Sequence, residues 1–318
     1  MAERHEGHRR DEPRSPLRLG KRSWGGALKR SAKGFQADNL TDWAAALTYY
    51  GVLSIFPALI AIVSIAGLIG SSAIDPMIEN VGEVAPGPGR EITENALDNL
   101  RGSQGAASLA LIVSVGIAIW SASAYVAAFM RASNAIYDVE EGRPIWKTLP
   151  TRVLVTIVLL VLLIAVAIGI TLTGGLAEKV AEPLGLGDTA VAVWEVAKWP
   201  VLLLAVSLIL ALLYWASPNV KHPGFHWLTP GSTVALALWL AVSVAFAFYV
   251  ANFGSYNKTY GSMAAPIVFL VWLWVSNIAV LLGAELNAEL ERGREIERGA
   301  PAGREPAIEP RDTRKIES

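Results

Sequence analysis

Six long stretches of this chain carry no Asp, Glu, Lys or Arg, and they constrain its fold more than any other feature. They cover residues 43–74 (32 residues), 102–130 (29), 153–177 (25), 199–220 (22), 222–257 (36) and 259–284 (26). A helix needs roughly 20 apolar residues to cross the hydrocarbon core of a bilayer, so each stretch is long enough. The stretches are continuously apolar where a membrane barrel strand would alternate, which excludes a β-barrel. Composition agrees: 53% of the 318 residues are hydrophobic, 17% are charged and the mean hydropathy is +0.41, too apolar for a soluble globule. The expected fold class is an all-α polytopic membrane protein with six transmembrane helices.

Orientation follows from Lys and Arg near the membrane, which stay on the cytoplasmic side. One side carries Lys29, Arg30, Lys33, Arg131, Arg143, Lys147, Arg152, Lys221, Arg292, Arg294, Arg298 and Arg304; the other carries Arg90, Arg101, Lys179, Lys198 and Lys258. Twelve against five places the N and C termini in the cytoplasm, and an even number of spans agrees by putting both on one side. Residues 1–42 hold no apolar core of signal-peptide length, so the first span is expected to serve as the uncleaved insertion signal.

Three regions are expected along the chain: residues 1–40, a charged cytoplasmic tail; 41–291, the six-helix transmembrane domain; and 292–318, a disordered cytoplasmic tail. Within the first, Trp24, Leu28 and Phe35 recur at near-helical spacing among five basic residues, the pattern of a helix lying on an anionic membrane surface or of a basic linker. The first span starts at a cap formed by Thr41 or Asp42 and contains Pro57, whose freed carbonyl Ser54 is placed to satisfy. Residues 71–105 form the first outer loop, where Ile74, Met77, Ile78 and Val81, then Ile92, Ala96 and Leu100, predict two amphipathic helices around Pro86-Gly87-Pro88-Gly89. Small-residue stripes, Ser114-Ala118-Ala122 in the second span and Ala237-Ala241-Ala245 in the fifth, predict close helix approach. Glu195 and Lys198, at i and i+3 in the fourth span, read as a self-neutralising pair. The sixth span is expected over 262–284, ending at Glu285.

Little in the chain can do covalent chemistry. There is no cysteine, so thiolate metal sites, disulfides and cysteine nucleophiles are excluded. Of the four histidines, His5 and His8 lie in the tail, and Pro223 and Gly224 deny His222 and His226 the helix that would make them a metal pair. No phosphate-binding Gly-x-x-x-x-Gly-Lys motif and no Gly-x-Ser-x-Gly elbow occurs. No metal or cofactor is therefore expected. A net charge of −1 gives no basic surface for nucleic acid; membrane lipids are the expected partners, and a homo-oligomer stays open. The remaining candidates are polar or kink-forming groups in or beside the spans: Tyr49, Tyr50, Ser54, Pro57, Asn134, Tyr256, Asn257, Tyr260, Gly261, Ser262, Glu285 and Asn287. Such groups either line a path or bond neighbouring helices, and Glu285 stands apart because it is ionisable.

Several stretches together resemble the YihY/virulence factor BrkB family, formerly labelled ribonuclease BN. They are the run Ala44 to Pro57, Ser133-Asn134-Ala135-Ile136-Tyr137-Asp138, Leu213 to Asn219, Thr229-Pro230-Gly231, Phe248 to Phe253, Ser255 to Ser262 and Leu282-Gly283-Ala284-Glu285-Leu286-Asn287. The resemblance covers about residues 35–292 in order. It implies a bacterial inner-membrane, multi-pass protein of six helices, and some family members are suspected of moving envelope lipids. On that basis the first expectation is a transporter or lipid translocator of the cell envelope, with a path between the first and sixth spans gated by Glu285. The second is a structural scaffold in which the same residues only pack helices. A ribonuclease, the old label, finds no nuclease ligands in the chain, and no enzyme is expected.

Overall fold

The computed structural model describes residues 21–69, 107–174, 187–222, 224–252, 264–301 and 308–317, with 177, 178, 181, 182 and 303. Among these residues the protein is all-helical, without strands. Seven helices are α1 (Lys21–Ala37), α2 (Leu40–Ile69), α3 (Ala107–Ile136), α4 (Ile145–Thr171), α5 (Asp188–Ala216), α6 (Pro230–Asn252) and α7 (Ala264–Glu297). Five helical segments are long and apolar enough to cross a membrane: Val115–Ile136, Ile145–Thr171, Thr189–Ala216, Pro230–Val250 and Pro266–Glu297. The first expected span corresponds to the 30-residue α2, with Pro57 inside it. The two outer-loop helices expected over 71–105 lie outside the described residues.

The chain divides into two compact units, one of residues 1–48, 129–148 and 206–318, the other of residues 49–128 and 149–205. In the first, α7 is the axis. It does not stop at Glu285 as expected but continues to Glu297, because its extension has a partner. Leu286 and Leu290, one turn apart on one face, are buried with Ala27 of α1, and Trp24 packs on the same cluster. α1 covers the stretch in which the sequence reading expected an interfacial helix or a basic linker, and it docks on α7. Asn39, at φ 51°, turns the chain from α1 into α2 in the left-handed conformation that asparagine tolerates. The Asn39 carbonyl, and neither Thr41 nor Asp42, takes the first bonds of α2, from the backbone N–H groups of Asp42 (3.0 Å) and Trp43 (3.2 Å).

α6 crosses α7 at Gly231 and Gly283. A β-carbon on either would strike the other's carbonyl oxygen, so only glycine allows this approach. Gly231, Ala235 and Gly283 make the close contact, which corrects the expected Ala237-Ala241-Ala245 stripe. Those three alanines are exposed on a helix that also exposes Val244 and Phe248 at 70% and 72%, surface suited to lipid.

The residues after α7, expected to be disordered, include an ordered stretch over 308–317. Asn219, fully buried, donates through Nδ2 to the carbonyls of Asp312 (2.8 Å) and Glu140 (3.0 Å), and its Oδ1 accepts from the Asp312 N–H (3.2 Å). Lys147 Nζ reaches Asp312 Oδ2 at 2.8 Å.

In the second unit Ala118 and Ala122 of α3 are buried as the small-residue stripe expects. Ser54 Oγ of α2 donates to the carbonyls of Tyr50 (2.6 Å) and Ala122 (3.2 Å). It therefore joins α2 to α3 and does not serve the Leu53 carbonyl that Pro57, four residues on, leaves without its helical donor. Arg152 Nε of α4 donates to Ser123 Oγ at 2.6 Å and its guanidinium lies 5.0 Å from the Trp120 ring centre. Lys198 pairs with Glu195 and donates to Thr173 Oγ1 at 2.9 Å, the self-neutralised arrangement expected of that pair.

Candidate functional site

Where α1 covers α7, carboxyl groups crowd one face. Glu285 and Glu289 are four residues apart, hence neighbours on the helix surface, and Arg292 follows one turn later. Glu285 is only 2% exposed. Its carboxyl fits against Gly34 of α1, where a β-carbon would collide with Oε1 and would also meet Asp38 Oδ2 at 3.1 Å, so the two carboxyl groups face the same point of α1. Two ionised carboxylates this close repel each other, and a proton shared between them would relieve the pair. Glu285 Oε2 is buried with no partner. Arg30 is committed elsewhere: it pairs with Glu289, and its Nη2 donates to the Glu289 carbonyl at 3.1 Å.

Asp38 lies just beyond α1. Burial, then the nearby Asp138 carboxylate, holds it above the usual carboxylate range, against the lowering effect of its bond with Glu285. A cavity of about 350 Å³ opens beside it, lined by Arg30, Lys33, Asp38, Asp138, Glu289 and Arg292. Asp138 reaches this position because α3 ends in a Schellman turn: Asp138 N–H bonds the Ala135 carbonyl, Val139 N–H bonds the Asn134 carbonyl, and Asp138 takes φ 52°. The arrangement can hold and exchange a proton between two carboxyl groups beside a charged cavity.

The other candidates divide differently. Asn134 is a structural tie: its Oδ1 accepts from the Asn219 N–H at 2.7 Å and its Nδ2 donates to Glu141 Oε2 at 3.0 Å. Glu141 in turn holds buried Arg143 through Nε (2.7 Å) and Nη2 (2.6 Å), and Nη2 also donates to the Ser217 carbonyl at 2.7 Å. Burial pushes the Glu141 carboxyl up, but these bonds from Arg143 and Asn134 bring it below its ordinary value. Asn287 secures the start of α6. Its Oδ1 accepts from Gly231 N–H (2.9 Å), a donor a helix start leaves free, and its Nδ2 donates to Thr229 Oγ1 (2.9 Å). In the second unit Tyr49 is 61% exposed and meets Tyr50 edge-on, ring centres 5.3 Å apart, near Ser54 and half-buried Pro57 on the same helix. Tyr256, Asn257, Tyr260, Gly261 and Ser262 lie outside the described residues. Within the first unit α2 and α7 are joined by Asn277 Nδ2 donating to buried Thr48 Oγ1 at 3.1 Å and Trp274 Nε1 donating to the Thr41 carbonyl at 3.2 Å.

Sequence reasoning missed Gly34, Asp38 and Glu289 because it ended the sixth span at Glu285. The available signal was the Leu286 and Leu290 repeat beyond it, which marks a continuing helix with a buried face.

These helices, with apolar faces turned outward and polar groups paired inside, define a polytopic α-helical integral membrane protein. The family model "Virulence factor BrkB" matches residues 31–308, and the chain belongs to that family. Among curated relatives, the ribonuclease-like protein YfkH of Bacillus subtilis is 32% identical over 260 residues, which are 80% of this chain and 90% of YfkH. The UPF0761 membrane protein azo3165 of Azoarcus is 30% identical over 282 residues, 86% of this chain and 66% of the relative. An Alkalilimnicola ehrlichii UPF0761 membrane protein is 28% identical over 265 residues, 81% of this chain and 57% of the relative. No solved structure matches the chain. The matched region begins inside α1, so it includes Gly34, Asp38 and all of α7 but not Trp24, Ala27 or Arg30.

Proposed function

We propose that this protein is a six-span transporter or lipid translocator of the bacterial inner membrane, with both termini in the cytoplasm and with Glu285 and Asp38 exchanging a proton at the cytoplasmic end of its path. One observation carries the reading: a carboxyl group 2% exposed, with one oxygen unpartnered and the other crowded with a second carboxyl against Gly34. An ionisable group kept in such a place is expensive to bury and is the usual mark of a proton or substrate pathway. Its neighbourhood supports the reading, since the α1–α7 seam opens on a charged cavity and is covered by a helix lying outside the apolar spans.

A scaffold is the second reading, favoured by Asn134, Ser54 and Asn287, each of which ties one segment to another. The ribonuclease-like name belongs to the relative, and nothing in the site points to phosphodiester hydrolysis.

The test is movement of a fluorescent phospholipid across liposomes holding the purified protein, against protein-free liposomes and the Glu285→Gln protein. Acceleration that disappears in a folded Glu285→Gln protein is the expected result. A folded wild-type protein that accelerates nothing removes lipid translocation from the reading; equal acceleration by wild type and variant removes Glu285 from the path.

A further inference from the structure

A second cavity, of about 100 Å³, lies away from the Glu285 pair. It is lined among others by Tyr137, Tyr214, Trp215, His222, Glu291 and Arg294. Among its lining residues four buried polar atoms have no partner: Nε and Nη1 of Arg294, Nε2 of His222 and Oε2 of Glu291, which a ligand reaches by small side-chain rotations. Arg294 is 4% exposed, and its nearest carboxylate oxygen, Glu295 Oε1, is 3.9 Å from Nε, too far for a hydrogen bond. The His222 side chain is 7% exposed; its Nδ1 lies 3.2 Å from Glu291 Oε1, and the Tyr137 ring stands edge-on to it at 5.9 Å. Burying a guanidinium without acceptors is costly, and native proteins retain such groups where a ligand or ion completes them.

The unused atoms specify what would complete them. If Glu291 accepts from Nδ1–H, neutral His222 presents Nε2 as an acceptor. The pocket then offers two donors on Arg294 and two acceptors, His222 Nε2 and Glu291 Oε2. An ionised carboxylate or a sulfate satisfies only the donors, because neither carries a hydrogen to give. Dihydrogen phosphate, with two P–OH groups, or a phosphate beside an ammonium also carries hydrogens for both acceptors. Charge-assisted bonds from arginine to phosphate are the strong ones. The start of α6 at Pro230 also borders the cavity, adding the positive end of a helix dipole. Its first N–H groups are already taken by Asn287 and Thr229, so it supplies field and not bonds. Tyr214 and Trp215 provide an apolar wall for whatever the phosphate is attached to.

We infer that the His222–Glu291–Arg294 pocket binds a phosphate group bearing a hydrogen-bond donor, either free phosphate or the headgroup of an ethanolamine phospholipid. The inference does not rest on the transport reading, since binding is read at equilibrium without any flux. The full chain in detergent micelles is titrated calorimetrically with inorganic phosphate, with sulfate as the comparison anion and short-chain phosphatidylethanolamine as competitor. Saturable phosphate binding, stronger than sulfate by about tenfold or more because sulfate leaves the acceptors unpaired, is expected, together with its loss in Arg294→Gln. Competition by phosphatidylethanolamine identifies the headgroup as the source; phosphate binding without competition identifies the free ion.

Glu291→Gln exchanges one acceptor oxygen for an amide that can donate, and is expected to erase the preference for phosphate over sulfate. That variant decides the matter if Arg294→Gln does not fold. No saturable heat with the folded wild-type protein overturns the inference and leaves the pocket to water. Equal affinity for sulfate, or phosphate binding unchanged in a folded Arg294→Gln or Glu291→Gln protein, overturns it as well.

Discussion

Glu285 is buried beside Asp38 with no Lys, Arg or His of the described residues within ion-pair distance. Gln has the same shape and needs no shared proton, so Glu285→Gln is expected to leave the thermal midpoint equal to or above that of the parent while abolishing transport. Calorimetry and flux on the same preparation check this, and a fall in stability matching the fall in flux would favour the scaffold. Asp38 makes a pH prediction. Its folded-state value lies above the ordinary 3.8, so its contribution to stability is full below that unfolded value and is lost as pH rises through the raised one. Unfolding midpoints of the parent are expected to fall over that rise relative to Asp38→Asn, which lacks the titration. Gly34→Ala separates fit from fold, since its β-carbon meets the carboxyl ends of Glu285 and Asp38 and no backbone. The helix-propensity gain of about 1 kcal/mol offsets part of an overpacking cost of about 1–3 kcal/mol, so stability falls by no more than about 2 kcal/mol while transport falls. Glu285 was legible in the sequence as the lone acid ending an apolar run. Its partner was not, because a pairing between the start of the chain and its last span is set by how α1 docks, which no local pattern encodes.

At the scale of elements, the apolar runs showed where helices lie and left their ends open. α4 begins at Ile145 and carries Pro150 as its sixth residue, which leaves the Trp146 carbonyl without its helical donor, whereas the charge pattern suggested a start at Val153. α7 runs on past its charges because α1 buries one face of the extension. The Gly231–Gly283 crossing is tight against backbone carbonyls that cannot swing aside. Gly231→Ala is therefore expected to destabilise the protein toward the upper end of the roughly 1–3 kcal/mol typical of overpacking, whereas Gly25→Ala, whose β-carbon would meet nothing, is expected to stabilise it by up to about 1 kcal/mol. The segment over 308–317 is held through acids whose folded values lie below their ordinary ones. In Asp312 the cause is bonding from Arg314 and then Lys147; in Glu141 the bonds from Arg143 outweigh burial. A depressed carboxyl contributes stability above its unfolded value and loses it as pH falls through the folded one. Limited proteolysis is expected to cut this segment faster on acidification, and Asp312→Asn to be cut readily already at neutral pH. Its order was hidden from sequence reasoning because it rests on Asn219, a single buried amide far away in the chain.

For the whole molecule, hydropathy and charge asymmetry made the class legible, and the sequence motifs made the family legible, before any contact was known. Six spans with both ends in the cytoplasm can be checked directly, since the chain has no cysteine and any introduced one is unique. Cysteines at exposed Gly25 and Glu317 are expected to react with a membrane-impermeant maleimide only after the inner face is opened, and one at exposed Gly187 in intact spheroplasts; Gly25 and Gly187 reacting from the same side would contradict the topology. The proposal that this membrane protein works through a proton held between Glu285 and Asp38 has its own direct readout. Infrared spectra of the purified protein at neutral pH should contain a protonated-carboxyl band that moves in deuterated water and is lost in Glu285→Gln. A spectrum holding only ionised carboxylates, or a protonated band that survives in both Glu285→Gln and Asp38→Asn, would contradict it.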